Sequence, residues 1–357
     1  MNQNFQTPPF NMNPQNNYPN QSFVLNLNAN PFLAQKSQKK NTSPQNNINY
    51  RNQSNRIKEV YSDNFIQEIK NISNYLNQYP YVGMDTEFPG VIYPCPVATE
   101  DFYYVYTKVN VDKLKLIQLG ITLTNDKGEY PPGTCTWQFN LNFDVEKDQH
   151  SNESISMLYN SGIDFKLMKN KGISHSLFAE YLLISGLVLN EKITWICFNG
   201  SSDFAYLLKY LINTPLPEEE KEFIDLVNLY FPNVYDVKYL VNDSETYKGG
   251  LNKLAKELDV ERSGEIHQAG SDSQVTSDVF FRLVRNNVIS QNELNEGKNI
   301  IYGIGQGNNM VPYKNNSSNN LRNNNMNSNM NNNNMDNNYD EQFNDMNMNM
   351  NMDINNF

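Results

Sequence analysis

The apolar residues of this chain are confined to its middle, and that confinement limits what it can fold into more than any single motif does. Up to about Arg56 the sequence is dense in Asn, Gln, Pro and Ser. From about Gln306 to Phe357 it is mostly Asn, Met and Ser, as in "NNNMNSNMNNNNMDNN". Eight of the 13 methionines lie in that last stretch, so they cannot serve a core. Neither end carries a helical or strand period. Such polar tracts bury too little apolar surface to offset chain entropy, so 1–56 and 306–357 read as disordered tails, with recruitment or condensate formation as their functional alternative. Any fold must come from 57–305, about 250 residues, ample for one large domain or two small ones.

Charge narrows the function classes. The whole chain carries −11; its first 56 residues hold +5 and its last 52 hold −3, which leaves −13 on the middle segment. So acidic a core argues against bulk adhesion to nucleic acid or anionic membranes, although a polyanion can still bind at a local site containing metal ions. The cysteines Cys95, Cys135 and Cys197 are odd in number and far apart, which fits free thiols in a reducing compartment. No charged start precedes an apolar run, and no apolar run approaches 18 residues. The expectation is a soluble intracellular protein with no membrane partner.

Within the middle segment, "SDNFIQEIKNISNYLNQY" (62–79) places Phe65, Ile66, Ile69, Ile72 and Leu76 on one helical face, with Ser62 or Asp63 as cap. "YVGMDTEF" (81–88) reads as a strand. "VDKLKLIQLGITLTN" (111–125) alternates like a strand, "DKGEYPPG" is a turn, and "CTWQFNLNF" (135–143) is a third strand, so an antiparallel meander is expected. The pattern then changes. Helical stretches at 174–189, 202–213, 251–260 and 272–288 alternate with a strand at 193–199 and a strand or strand-to-helix segment at 234–241. Phe204, Leu207, Leu208 and Leu211 should face inward from one helix, and Val275, Val279, Phe280 and Leu283 from another. Strands first and alternation afterwards describe an α/β fold, a mixed sheet flanked by helices.

The strand "GMDTEFPG" raises the chemical question. Residues i and i+2 of a strand face the same way about 7 Å apart, so Asp85 and Glu87 converge on one patch. Buried, ionised and unpartnered, they would cost several kcal/mol. A lone D-x-E is usually a surface pair or half of a salt bridge. Here it has company. Asp203 begins a helix directly after the apolar strand "ITWICFN", the place where open α/β folds put their sites. Asp272 begins another helix, five residues after His267. Taken singly, each aspartate reads as an N-cap. Together, four carboxylates and an imidazole are the parts of a two-metal phosphodiesterase. Two Mg²⁺ or Mn²⁺ ions would balance the acids and clamp the attacking and leaving oxygens, while a neutral His takes the proton from water.

The blocks "GMDTEFPG", "KLIQLGITL", "YPPGTCTWQFN", "YDVKYL", "KGGLNKLA" and "HQAGSDS" closely resemble the Caf/Pop-type catalytic subunit of the CCR-NOT deadenylase, a family of DEDD exonucleases with the ribonuclease-H-like fold. The resemblance spans 57–305 and covers neither tail. "FNGSSDFAYLLKYL" resembles the third block, with variation before its Asp. The H-x4-D spacing resembles the histidine branch; the tyrosine branch would need Tyr at position 268, which is Gln. The resemblance implies that Asp85 bridges both ions, that Glu87 and Asp272 hold the ion carrying the nucleophilic water, that Asp203 holds the ion facing the leaving 3′ oxygen, and that His267 is the general base. Phe88 would stack on or wall off the terminal base, or pack in the core. His150 and His175 receive no catalytic role.

The implied activity is 3′→5′ trimming of poly(A) RNA with release of 5′-AMP. The implied partners are a large helical scaffold subunit and a second deadenylase subunit in a CCR-NOT-like complex, in the cytoplasm and also the nucleus. A catalytically silent adaptor docking other subunits is the rival, and loss of any of the five groups would favour it. A DNA-directed exonuclease of the same superfamily is a third reading, against which the long blocks outside the metal site count.

Overall fold

The computed structural model describes residues 56–94, 101–247 and 249–305; Cys95 and both tails lie outside the described residues. Strand β1 (Ile57–Val60) and helix α1 (Phe65–Tyr75) lead into β2 (Tyr81–Glu87). Helix α2 (Phe102–Lys113) separates β2 from β3 (Gln118–Thr124), which turns into β4 (Thr136–Asn140). Helices α3 (Asn152–Asn160), α4 (Phe165–Lys171) and α5 (His175–Ile184) follow. Then come β5 (Thr194–Cys197), α6 (Ser201–Ile212), α7 (Glu220–Tyr230), β6 (Val234–Asp236), α8 (Val237–Leu240), α9 (Leu251–Glu257), α10 (Ala269–Arg285) and α11 (Gln291–Gly297).

The sheet has the order β1-β4-β3-β2-β5-β6. The meander β2-β3-β4 is antiparallel, and β1, β5 and β6 add to it in parallel. Parallel strands β2 and β5 are interior neighbours, so their carboxyl ends and the start of α6 lie together beyond one end of the strands, where ligand crevices of open α/β sheets form.

The two faces of the meander differ in chemistry. Val82, Met84, Leu119, Ile121, Leu123, Trp137 and Phe139 pack with Phe65, Ile72, Phe178, Phe204 and Leu207 in one apolar cluster under α1, α5 and α6. The opposite face carries Gly83, Asp85 and Glu87, paired in register with Thr122, Gly120 and Gln118. Helix α10 covers it with a first turn of small residues, Ala269, Gly270 and Ser271, all buried. Polar contacts replace grease there: Thr122 Oγ1 bonds Ser273 Oγ (2.8 Å), and Gly270 N–H donates to Gln138 Oε1 (2.8 Å). The helix can come this close because the strands opposite it carry glycine. A methyl group on Gly120 would lie 1.9 Å from the Ala269 carbonyl oxygen, and one on Gly83 2.6 Å from that of Ser273.

Several expectations shift. Residues 111–113 end a helix rather than begin a strand, because alternation in "VDKLKLIQ" is also compatible with one last helical turn. The helix expected at 174–189 stops at Ile184, before Gly186 with φ +83°. Ile66 points outward at 39% exposure, while Phe65, Ile69, Ile72 and Leu76 are buried. Asn64, not Ser62 or Asp63, precedes α1, and its side chain binds Tyr61 N–H instead of capping. The inward residues expected on α6 and α10 are all buried. Cys135 and Cys197 are free and buried.

Candidate active site

Strand alternation puts Asp85 and Glu87 on the α10 side of β2, at its carboxyl end. Helix α10 starts at Ala269, three residues before Asp272. Asp272 therefore sits in the first turn, and Gln268 occupies the cap position. Asp272 is turned inward instead: Glu87, His267 and Asp272 each offer a ligand atom within 4.8 Å of the others. Asp203 likewise lies inside the first turn of α6, with Gly200 at the cap position. Its Oδ1 accepts a 2.6 Å hydrogen bond from Thr86 Oγ1, which ties α6 to the residue between the two strand acids.

Electrostatics show that the four carboxylates share one patch. Asp85 is raised well above the ordinary carboxylate range, first by burial and then by the charges of Asp272, Asp203 and Glu87, against which Arg262 works. Burial also pushes Asp203 up to about 7, opposed by its bond from Thr86. Two buried acids with raised pKa values, Asp85 and Asp203, next to two further carboxylates make a site short of positive charge. Carboxylate oxygens are the donors that hard divalent cations prefer, so the residues present fit Mg²⁺ or Mn²⁺.

His267 adopts left-handed backbone, φ +63°, a costly conformation for a non-glycine residue that must be held. Its own N–H donates to Asp272 Oδ2 (2.9 Å), and its carbonyl accepts from Ser161 Oγ (2.9 Å). Gln268 Nε2 donates to the Ser161 carbonyl (2.7 Å), which fastens the same turn to the end of α3. Burial lowers the imidazole pKa, opposed by the charge of Asp272 and helped by that of Arg262, which favours the neutral ring that a general base requires.

Phe88 follows the strand acids but is half-buried, stacked on Tyr206 with ring centres 5.4 Å apart and packed against the main apolar cluster. His175 is remote from this chemistry. It bonds the Leu116 carbonyl, stacks on Tyr210 and is pushed down to about 4 by burial. His150 bonds the Val145 carbonyl.

Two residues of the site escaped sequence reasoning. Thr86 lies between the two acids and drew no attention as a strand residue; only the placement of α6 shows that its hydroxyl meets Asp203. Arg262 pairs with Asp272 Oδ1 (2.5 Å) and donates to Ser271 Oγ and Asn252 Oδ1. Its signal was its isolation: it is the only Lys or Arg between Lys256 and Arg282.

Comparison with known proteins gives a consistent picture. The sequence model of a family described as CAF1 family ribonuclease matches residues 60–185 and 181–280. The chain is 41% identical over 265 residues to poly(A) ribonuclease pop2 of Schizosaccharomyces pombe, covering 73% of this chain and 79% of that protein. The solved Mg²⁺- and Mn²⁺-bound form of S. pombe Pop2p matches with a TM-score of 0.66 at 41% identity, covering 70% of this chain and 100% of that one. CCR4-NOT transcription complex subunit 7 of Caenorhabditis elegans is 44% identical over 236 residues, 64% of this chain and 76% of that protein. A chain in the structure of the yeast NOT1 MIF4G domain co-crystallised with CAF1 matches with a TM-score of 0.61 at 30% identity, covering 69% and 96%.

Proposed function

The chain belongs to the CAF1 family of ribonucleases, and from that premise we propose that it is a 3′→5′ exoribonuclease that shortens the poly(A) tails of mRNA and releases 5′-AMP. The observation that carries this reading is the meeting of Glu87, His267 and Asp272 within 4.8 Å, beside Asp85 and Asp203, from three separate parts of the chain. Adenosine as substrate is supported by the S. pombe relative, which is named a poly(A) ribonuclease.

Asp85, Glu87, Asp203 and Asp272 would hold two divalent cations, Mg²⁺ or Mn²⁺, which when bound supply charge for the phosphodiester and lower the pKa of the attacking water. In this reading Asp85 would help hold both cations, Glu87 and Asp272 would serve the attacking water, and Asp203 would serve the leaving 3′ oxygen. His267 takes the proton from the water as its oxygen bonds to phosphorus; the P–O3′ bond breaks, 5′-AMP departs, and the leaving 3′ oxygen takes a proton from solvent to become the new 3′ hydroxyl of the shortened chain. Strain and hydrogen bonds that fix His267 beside Asp272 aim the imidazole before substrate arrives. Phe88, braced by Tyr206, walls the terminal base. A silent adaptor needs none of these groups, and here the four carboxylates and the imidazole are all present.

We propose further that it works on a large helical scaffold in a CCR4-NOT-like complex, with a second deadenylase subunit beside it, in the cytoplasm and the nucleus. The scaffold is what the yeast NOT1 MIF4G co-crystal with CAF1 and the naming of the C. elegans relative support. The test is purified protein with end-labelled RNA carrying a 3′ adenosine run. Mg²⁺ or Mn²⁺ should give a one-nucleotide ladder, a chelator should stop it, and DNA of the same sequence should survive. Intact RNA with both cations, from protein that still binds its scaffold, would establish the adaptor instead.

A further inference from the structure

Asp203 rides on the turn that joins β5 to α6, and a carboxylate outside the ligand set holds that turn from behind. Asp236, the last residue of β6, is fully buried. Its Oδ1 accepts from the backbone N–H groups of Asn199 (2.9 Å) and Lys238 (3.0 Å). Its Oδ2 accepts from those of Gly200 (3.0 Å) and Tyr302 (3.0 Å). Two of these donors are the residues at which the chain reverses. Asn199 has left-handed backbone, φ +59°. Gly200 is the cap residue of α6 and is packed so tightly that a Cβ would lie 2.5 Å from Cys197 Sγ. A helix start normally takes an oxygen from its own cap side chain. Glycine has none to offer, and here the neighbouring strand supplies the acceptor for the turn. The other two donors join the same carboxylate to the start of α8 and to the last described segment of the chain.

We infer that Asp236 is a positioning residue for the cation site: by locking the Asn199–Gly200 turn it aims Asp203 at Thr86 and Asp85. The inference rests on the nuclease reading above. Groups that orient metal ligands from behind typically change metal affinity about 10- to 100-fold when altered. Asp236→Asn keeps the shape, but in either amide orientation its NH₂ faces two backbone N–H groups that need an acceptor. Asn199→Val perturbs the same turn from its half-buried side without touching the carboxylate, because a β-branched residue resists left-handed backbone. Asn199→Gly accepts that backbone and is its control.

The experiment measures Mn²⁺ binding to the full chain by the loss of the free-ion resonance signal, together with thermal unfolding in chelator. Ile72→Ala, a cavity in the apolar cluster on the far face, controls for lost stability alone. Asp236→Asn and Asn199→Val should each weaken Mn²⁺ binding by about tenfold or more, while Asn199→Gly and Ile72→Ala bind as the parent does. If Asp236→Asn fails to fold, the valine and glycine variants decide. Parent-like affinity in Asn199→Val, or in a folded Asp236→Asn, overturns the inference and leaves the nuclease reading standing. A parent protein that binds no Mn²⁺ overturns both.

Discussion

Replacing Gly120 by Ala should damage the chemistry of this protein more than its stability. Gly120 lies opposite Asp85 in the β2–β3 register, beneath the first turn of α10. An alanine Cβ there would sit 1.9 Å from the Ala269 carbonyl oxygen, 2.2 Å from its carbon and 2.6 Å from Gly270 N. Ordinary contact begins at 3.4 Å, so strand and helix must part by about 1.5 Å. All three atoms are backbone, so no rotamer change can relieve the clash. The retreat moves Asp272 and His267 away from Asp85 and Glu87. Overpacking of this kind costs about 1–3 kcal/mol, and each kcal/mol lowers Tm by about 2–4 °C in a fold of this size. Misplacing catalytic groups by about 1 Å costs on the order of 100-fold in rate. The assay is kcat on adenosine-tailed RNA at saturating Mn²⁺, well below the Tm of each variant. Ile72→Ala serves as the reference, since it loses about 2–5 kcal/mol to a cavity but should keep its kcat. A folded Gly120→Ala protein with parental kcat would refute the claim that α10 is held at the distance the site needs. Loss of kcat in Ile72→Ala in proportion to stability would refute it equally.

Asp85→Asn should abolish trimming, by on the order of 10³-fold or more, since such groups act as a unit. It should also raise Tm in chelator, because it removes a carboxylate repelled by Asp272, Asp203 and Glu87; a lower Tm would contradict the crowding described here. Asp203 and Asp85 have folded pKa values raised above their unfolded ones. In cation-free protein, the stability these groups contribute through bound protons is therefore complete below the unfolded pKa and lost as pH rises through about 7 for Asp203. Divalent cations replace those protons. The gain in Tm on adding Mn²⁺ should accordingly grow from pH 5.5 to 8 and then level off. Thermal scans with Mn²⁺ and with chelator across that range would detect a gain independent of pH, which would count against these ligands.

Legibility from the sequence varied with the range of the interaction responsible. The D-x-E pair was legible because strand alternation is local: once 81–88 is a strand, Asp85 and Glu87 must share a face. The buried stripes of α6 and α10 were legible for the same reason at helical period. Helix α2 was not, since the apolar residues of "FYYVYTKVNVDK" spread around it rather than forming a stripe. The short helices α3 and α4 depend on their caps Ser151 and Asp164 and on packing against Phe143, which no periodic pattern announces. Asp203 and Asp272 each satisfied the sequence signature of a cap. What they became was decided by Gly200 and Gln268 taking the cap positions and by the faces against which α6 and α10 are laid.

From its order of residues alone, this chain set where a core could exist, which strand would carry paired acids, and which five side chains had the chemistry for a common site. Tertiary structure alone decided that they meet, through glycines at 83 and 120 that admit a polar helix against the sheet and a Thr86 hydroxyl that reaches α6. The reason is range. Alternation and helical period act over a few residues, whereas the distance from Asp85 to Asp272 in space is set by backbones packing at van der Waals contact, across segments that the sequence holds far apart.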